Sequence, residues 1–243
     1  MIEVTNLYKS FGQVQAVDGV SFSARDGEVT GLLGPNGAGK TTTLRMITGL
    51  IHADRGQLTV DGINPAQNAI GARRRMGILP DARGLYRHLT ARENIEYFGA
   101  LQGLDASTSR RRAAELIDQL GMADIADRRT EGFSNGQRVK VAIARALVHQ
   151  PQNVLLDEPT NGLDVMSIRA LRQFIADQAG AGRAVVLSTH VMQEVAALCQ
   201  RIVIIGHGRV VADGSAEQLL EQTGATTLED AFVQLVGGEG MMS

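Results

Sequence analysis

Hydrophobic and polar positions follow two different rhythms along this chain. Short β-rich runs at 2–6, 20–24, 28–33, 57–60, 76–79, 153–157, 184–188, 201–205 and 209–212 alternate with longer stretches of helical spacing. That alternation predicts a mostly parallel sheet flanked by helices. The runs at 153–157 and 184–188 are almost unbroken apolar sequence, as strands buried on both faces are. The first two runs and the last alternate and carry glycine, the pattern expected of antiparallel edge strands.

Between about 90 and 149 no strand pattern is convincing and helical periodicity takes over. Thr90 with Glu93, and Ser134 with Gln137, have the spacing of a capping box, in which a hydroxyl and a carboxylate or amide satisfy each other's backbone N–H. A helical insertion within the strand-helix core is therefore expected. Near the end, Thr226 and Glu229 repeat the spacing, and Leu228, Phe232 and Leu235 share one helical face. No internal repeat or low-complexity segment is visible.

Composition narrows the picture without deciding it. The 243 residues carry 24 basic and 26 acidic side chains, a net charge of -2, so no global field draws the chain to nucleic acid. The arginine clusters 73–75 and 110–112 lie near acidic residues and read as solvated faces. The longest stretch free of Asp, Glu, Lys and Arg is 11 residues, too short for a membrane span. The opening carries Glu3 and no basic segment followed by an apolar run, unlike a secretory signal. Cys199 is the one cysteine and has no internal disulfide partner, so a reducing compartment, most simply the cytosol, is expected. Glycine is abundant at 28 residues, and its clusters mark places where backbone must turn tightly or approach closely.

One cluster follows the run at 28–33 directly. Gly34-Pro-Asn36-Gly37-Ala38-Gly39-Lys40-Thr41 fits the phosphate-binding pattern of a glycine-rich loop, a lysine and a hydroxyl at a helix start. Loop amides would wrap phosphate oxygens at the helix N-terminus, where the backbone is partly positive. Lys40 would bridge the β and γ phosphates, Thr41 would face Mg²⁺, and Thr42 would add a phosphate contact. A glycine-rich turn capped by threonine is the competing reading. After the apolar run at 153–157, Asp157 has the placement of a metal-holding aspartate, and Glu158 that of a base that orients or deprotonates water. Many buried strands end in acidic turns, so that pair is weaker evidence by itself.

Phe133-Ser134-Asn135-Gly136-Gln137, followed by a basic-apolar helix ending Ala144-Arg-Ala-Leu147, resembles the signature of ABC ATPases, usually Leu-Ser-Gly-Gly-Gln. Phe133 and Asn135 depart from it. In plain physics Ser134 caps a helix whose positive end suits an anion. The resemblance extends over essentially the whole chain. It implies an α/β fold with a P-loop NTPase (RecA-like) core, an antiparallel β subdomain, an α-helical subdomain inserted at about 82–150 and a short C-terminal helix at about 226–236, all in one nucleotide-binding domain. Asn161 to Asp164 resembles the loop that meets the partner in such dimers. His190 matches the switch histidine sensing the γ phosphate, although a strand-end histidine is more often an ordinary surface residue. Phe11 matches the aromatic that stacks on adenine, with a core phenylalanine as the alternative.

Asp81 stands where family members commonly carry glutamine. The resemblance makes it a sensor and metal-side residue, and a carboxylate there adds negative charge beside a triphosphate. Gly84 to Asn94 is similar to export-type members, including the sodium-efflux subgroup, so Leu85 and Tyr86 would line the groove that receives a membrane subunit; local packing is the alternative. Leu228 to Phe232 also resembles export-type subunits. The resemblance thus implies an ATP- and Mg²⁺-dependent dimer, with each ATP between Lys40 of one copy and Ser134, Gly136 and Gln137 of the other. Separate permease chains would hold the pair on the inner face of the cell membrane. A soluble ABC ATPase of translation or DNA repair is the second reading. Two cassettes in one chain or a long coiled coil would mark it, and neither is present. A P-loop kinase or GTPase is the third, and it leaves Ser134 unexplained.

Overall fold

The computed structural model describes residues 1–80 and 84–237. Every expected strand is found. The larger sheet has the order β5 (Met76–Leu79), β6 (Asn153–Asp157), β7 (Ala184–Thr189), β3 (Val29–Leu33), β8 (Arg201–Gly206), β9 (Arg209–Gly214). Its first five strands are parallel and β9 is antiparallel. All residues of β3, β6 and β7 are buried, which is why those segments tolerate no polar face.

A second sheet holds β2 (Val14–Ala24), β1 (Ile2–Phe11) and β4 (Arg55–Val60), all antiparallel. Here one expectation fails. The first strand is central, paired on both sides, and not an edge. Its alternation reports one buried face, and a one-faced sheet imposes that pattern on central and edge strands alike. The second and last strands do lie at sheet edges.

Helix α1 (Lys40–Ile47) follows β3, and α2 (Ala69–Arg74) precedes β5. Between β5 and β6 run α3 (Ala91–Leu101), α4 (Ala106–Gln119) and α5 (Asn135–Leu147). Capping boxes start α3 at Thr90 with Glu93, and α5 at Ser134 with Gln137, as the spacing predicts. Then come α6 (Val165–Gly180), α7 (Met192–Leu198), α8 (Ala216–Thr223) and α9 (Leu228–Gly237). The cap of α9 falls one residue later than expected. Thr227 accepts from the Asp230 N–H at 3.1 Å and its hydroxyl donates to the Asp230 carboxylate at 2.7 Å. The sequence offers two overlapping hydroxyl-to-acid frames there, and the second is used. Leu228, Phe232 and Leu235 still pack together, against Leu33, Val195 and Ile204.

Two larger cores lie on opposite faces of the parallel sheet. One joins Leu79, Leu156 and Val185 to Ile95, Leu116, Val141 and Phe174 of the helices. The other joins Leu32, Leu155, Val186 and Val203 to Ile2, Leu7 and Val20 of the antiparallel sheet and Ile47 of α1. Each fully buried aliphatic side chain contributes about 1.5–3 kcal/mol, so both sheets are held to the strands that carry the loops described below.

The arginine clusters are only partly solvated faces. Arg73 donates to Thr48 O at 2.9 Å and Gly49 O at 2.8 Å, covering carbonyls at the end of α1. Arg112 is buried, donating to Val148 O at 3.4 Å and pairing with Glu115. Free carbonyls at helix ends attract cationic donors, and that demand is invisible in a local charge pattern. Among the described residues no helix is long and apolar enough to cross a membrane.

Candidate functional site

The buried strand β3 delivers the chain into Gly34, where a Cβ would stand 2.3 Å from Ile205 O. Gly39 takes φ +105, and a Cβ there would meet Ala16 O at 2.4 Å. Only glycine suits either place. The loop between them ends at Lys40, the first residue of α1. The Lys40 ammonium donates to Gly34 O at 2.7 Å and Pro35 O at 3.1 Å. Burial depresses its pKa below the ordinary lysine range, against the pull of the Glu158 and Asp157 carboxylates.

The Thr41 hydroxyl donates to Asp157 at 3.1 Å. A residue from the start of α1 and one from the end of β6 are thereby joined across 116 positions. Both offer hard oxygen ligands of the kind a small divalent cation takes. Among the described residues no three His, Cys, Asp or Glu side chains form a metal site of their own. Two such ligands fill only part of a hard cation's oxygen shell, so the pair suits a cation shared with phosphate oxygens.

Glu158 follows with φ +47, a conformation unusual for a side-chain-bearing residue. Its N–H is held by Ser188 O of β7 at 2.9 Å, so the turn is anchored to the neighbouring strand. His190, just past β7, donates from Nδ1 to Glu158, 3.0 Å from each carboxylate oxygen. Asn36, Gly37, Gly39, Lys40, Thr41, Thr42, Glu158 and His190 line one open cleft of about 360 Å³, with Ala16 and Asn161. Ala16 carries no sequence signal of its own; it arrives because β2 passes beside the loop.

Phe11 is 51% exposed, at the hairpin between β1 and β2, with the Lys9 ammonium 5.6 Å from its ring centre. The core alternative is thereby removed. Ser134 caps the N-terminus of α5, and neither it nor Gly136 or Gln137 lines the Lys40 cleft. Phe133 is buried, with the Arg128 guanidinium 5.7 Å from its ring. Leu85 lines a separate cavity of about 390 Å³ with Arg87, Thr130 and Arg138. Tyr86 does not line it; half exposed, it stands edge-on to Tyr97 at 5.2 Å. Asp81 lies outside the described residues.

Residues 17–161 match the family profile described as ABC transporter. The chain belongs to the ABC transporter family. It is 42% identical to ABC transporter ATP-binding protein NatA of Bacillus subtilis, over 98% of this chain and 99% of that one. It is 38% identical, over 94% of this chain and 70% of the relative, to the doxorubicin resistance ATP-binding protein DrrA of Mycobacterium tuberculosis. Among solved structures, the ATP-binding subunit of an ABC transporter superposes with a TM-score of 0.89 at 30% identity, over 97% and 99% of the two chains. The dimeric structure of an ATP-binding cassette in a post-hydrolysis state, bound to ADP and Pi, superposes with a TM-score of 0.79 at 27% identity, over 88% and 98% of the two chains. This ABC ATPase binds and hydrolyses ATP.

Proposed function

We propose that two copies of this ABC ATPase close around two ATP molecules and drive export through separate membrane permease subunits. The observation that carries the reading is a divided set of functional groups. Lys40, Thr41, Glu158 and His190 line one cleft and Asp157 is joined to it through the Thr41 hydroxyl, while Ser134 sits outside it at a helix N-terminus with an anion-favouring end. A two-fold pairing supplies each cleft with the other copy's Ser134, Gly136 and Gln137, and the relative solved as a dimer supports it.

Within each cleft the amides of Gly34 to Gly39 hold the phosphates, and Lys40 holds the β and γ oxygens. Thr41 and Asp157 would hold Mg²⁺, which neutralises phosphate charge when bound. Asp81 is proposed on the metal side of the same site. Thr42 adds a phosphate contact and Phe11 stacks on adenine. Glu158 orients the attacking water and accepts its proton, and His190 holds the carboxylate and senses the γ phosphate. Loss of that phosphate removes the group both copies grip, so the pair loosens and the permease changes conformation.

The 243 residues are read as one nucleotide-binding domain, with a helical insertion at about 82–150 and a C-terminal helix at about 226–236. Leu85 and Tyr86 would face the permease, which would hold the chain on the inner face of the membrane. The name of the doxorubicin resistance relative supports export. Sodium is the proposed cargo, on the likeness of 84–94 to the sodium-efflux subgroup. Nucleic acid has no place in this scheme. Affinity purification of the tagged chain from solubilised membranes tests it: a co-purifying multi-span protein is expected. Ribosomes or DNA-repair proteins with no membrane protein would overturn the transport reading and favour the soluble alternative.

A further inference from the structure

The loop between Glu158 and α6 is built as a braced turn. The Asn161 N–H reaches Glu158 O at 3.3 Å and the Leu163 N–H reaches Thr160 O at 3.0 Å. Glu158 and Gly162 both take positive φ, +47 and +71. At its far end Asp164 caps α6, accepting from the Ser167 N–H at 2.9 Å. The middle of the turn is held from outside its own segment. The Asn135 side-chain amide donates to Asn161 O at 2.8 Å and to Gly162 O at 3.0 Å. A Cβ on Gly162 would stand 2.6 Å from that amide nitrogen, so this close approach needs glycine on one side as well as asparagine on the other. A Cβ on Gly136 would stand 3.3 Å from Ser167 Oγ, so the starts of α5 and α6 also approach closely.

Asn135 is the position where the signature departs from the usual glycine, and glycine has no side chain with which to make these two bonds. We propose that Asn135 is a positioning residue that latches the loop after Glu158 to the start of α5. The helix terminus offered to the partner's nucleotide then moves together with the loop that carries the chain's own general base. In a two-fold pair this ties the state of one ATP site to the grip on the other. The coupling rests on the sandwich arrangement proposed above; the latch itself does not.

The full chain and its Asn135→Ala and Asn135→Gly variants test the proposal in two arms, with MgATP as the probe. In the nucleotide-free chain, amide hydrogen exchange across 160–164 should quicken by about threefold or more in both variants, with exchange in β6 and β7 unchanged. In the hydrolysis arm, ATP affinity of the free chain should stay within about twofold, while the cooperativity of turnover with ATP concentration should fall toward that of independent sites. Unchanged exchange overturns the latch. Faster exchange with an unaltered dependence on ATP overturns the coupling. A parent chain without ATP turnover would count against the two-fold pairing of the chain by itself rather than against the latch, which the exchange arm judges independently.

Discussion

His190 Nδ1 stands 3.0 Å from both carboxylate oxygens of Glu158, although the two residues are 32 positions apart and lie beyond different strands. The contact is possible because β6 and β7 are parallel neighbours in register, with Asp157 opposite Ser188. A carboxylate held from one side by an imidazole keeps its orientation toward the cleft that Lys40 and Thr41 also line.

Replacing Glu158 by Gln preserves shape and keeps one oxygen to accept from His190, while removing the proton acceptor. Turnover should fall by about 10²–10⁴, with ATP affinity within about twofold of the parent. Gel filtration with ATP should show an accumulated dimer. Hydrolysis at the parental rate would remove Glu158 from its role.

The Thr41 to Asp157 hydrogen bond at 3.1 Å brings together the two groups proposed for Mg²⁺. Thr41→Ala should raise the Mg²⁺ concentration for half-maximal turnover by about tenfold or more. Nucleotide binding measured in EDTA should change little. An unaltered Mg²⁺ titration would separate Thr41 from the metal.

Ser134→Arg places a bulky cation at a helix N-terminus outside the Lys40 cleft. Equilibrium binding of ATP to the monomer should match the parent, while turnover falls by about a hundredfold or more. Weakened monomer binding would mean that Ser134 serves its own chain's cleft.

His149 offers a stability test free of the nucleotide. Its Nε2 donates to Met76 O at 3.1 Å, and its Nδ1 is buried with no hydrogen-bond partner among the described residues. Burial pushes its pKa below 6.5, against the smaller pull of the Met76 carbonyl. The unfolded chain therefore binds a proton first as pH falls, and stability is lost from about 6.5 down to the depressed folded value. Urea midpoints at pH 7.5 and 5.5 should differ for the parent and differ less for His149→Gln. Equal pH dependence in both proteins would discard this assignment.

Much of the site was legible because its chemistry is local. Six consecutive residues from Gly34 to Gly39 make the phosphate loop, Asp157 and Glu158 are adjacent, and Ser134 with Gln137 needs only one turn of helix to form its capping box. The nine strands were legible for the same reason, since apolar runs and alternation record which faces are covered. What escaped were relations between distant segments. Nothing near 135 says that its amide will meet two carbonyls at 161 and 162, nothing near Ala16 marks it as a wall of the cleft, and nothing in the arginine clusters tells Arg73 and Arg112 from their exposed neighbours.

By itself, then, the chain's order of residues determined the element types, the phosphate loop, the acidic pair and the family, because those depend on spacing along one backbone. Tertiary structure alone decided that the first strand is central and that Glu158 and His190 touch. Those outcomes depend on which strands become neighbours, and strand order is set by packing both faces of the parallel sheet at once rather than by any local pattern.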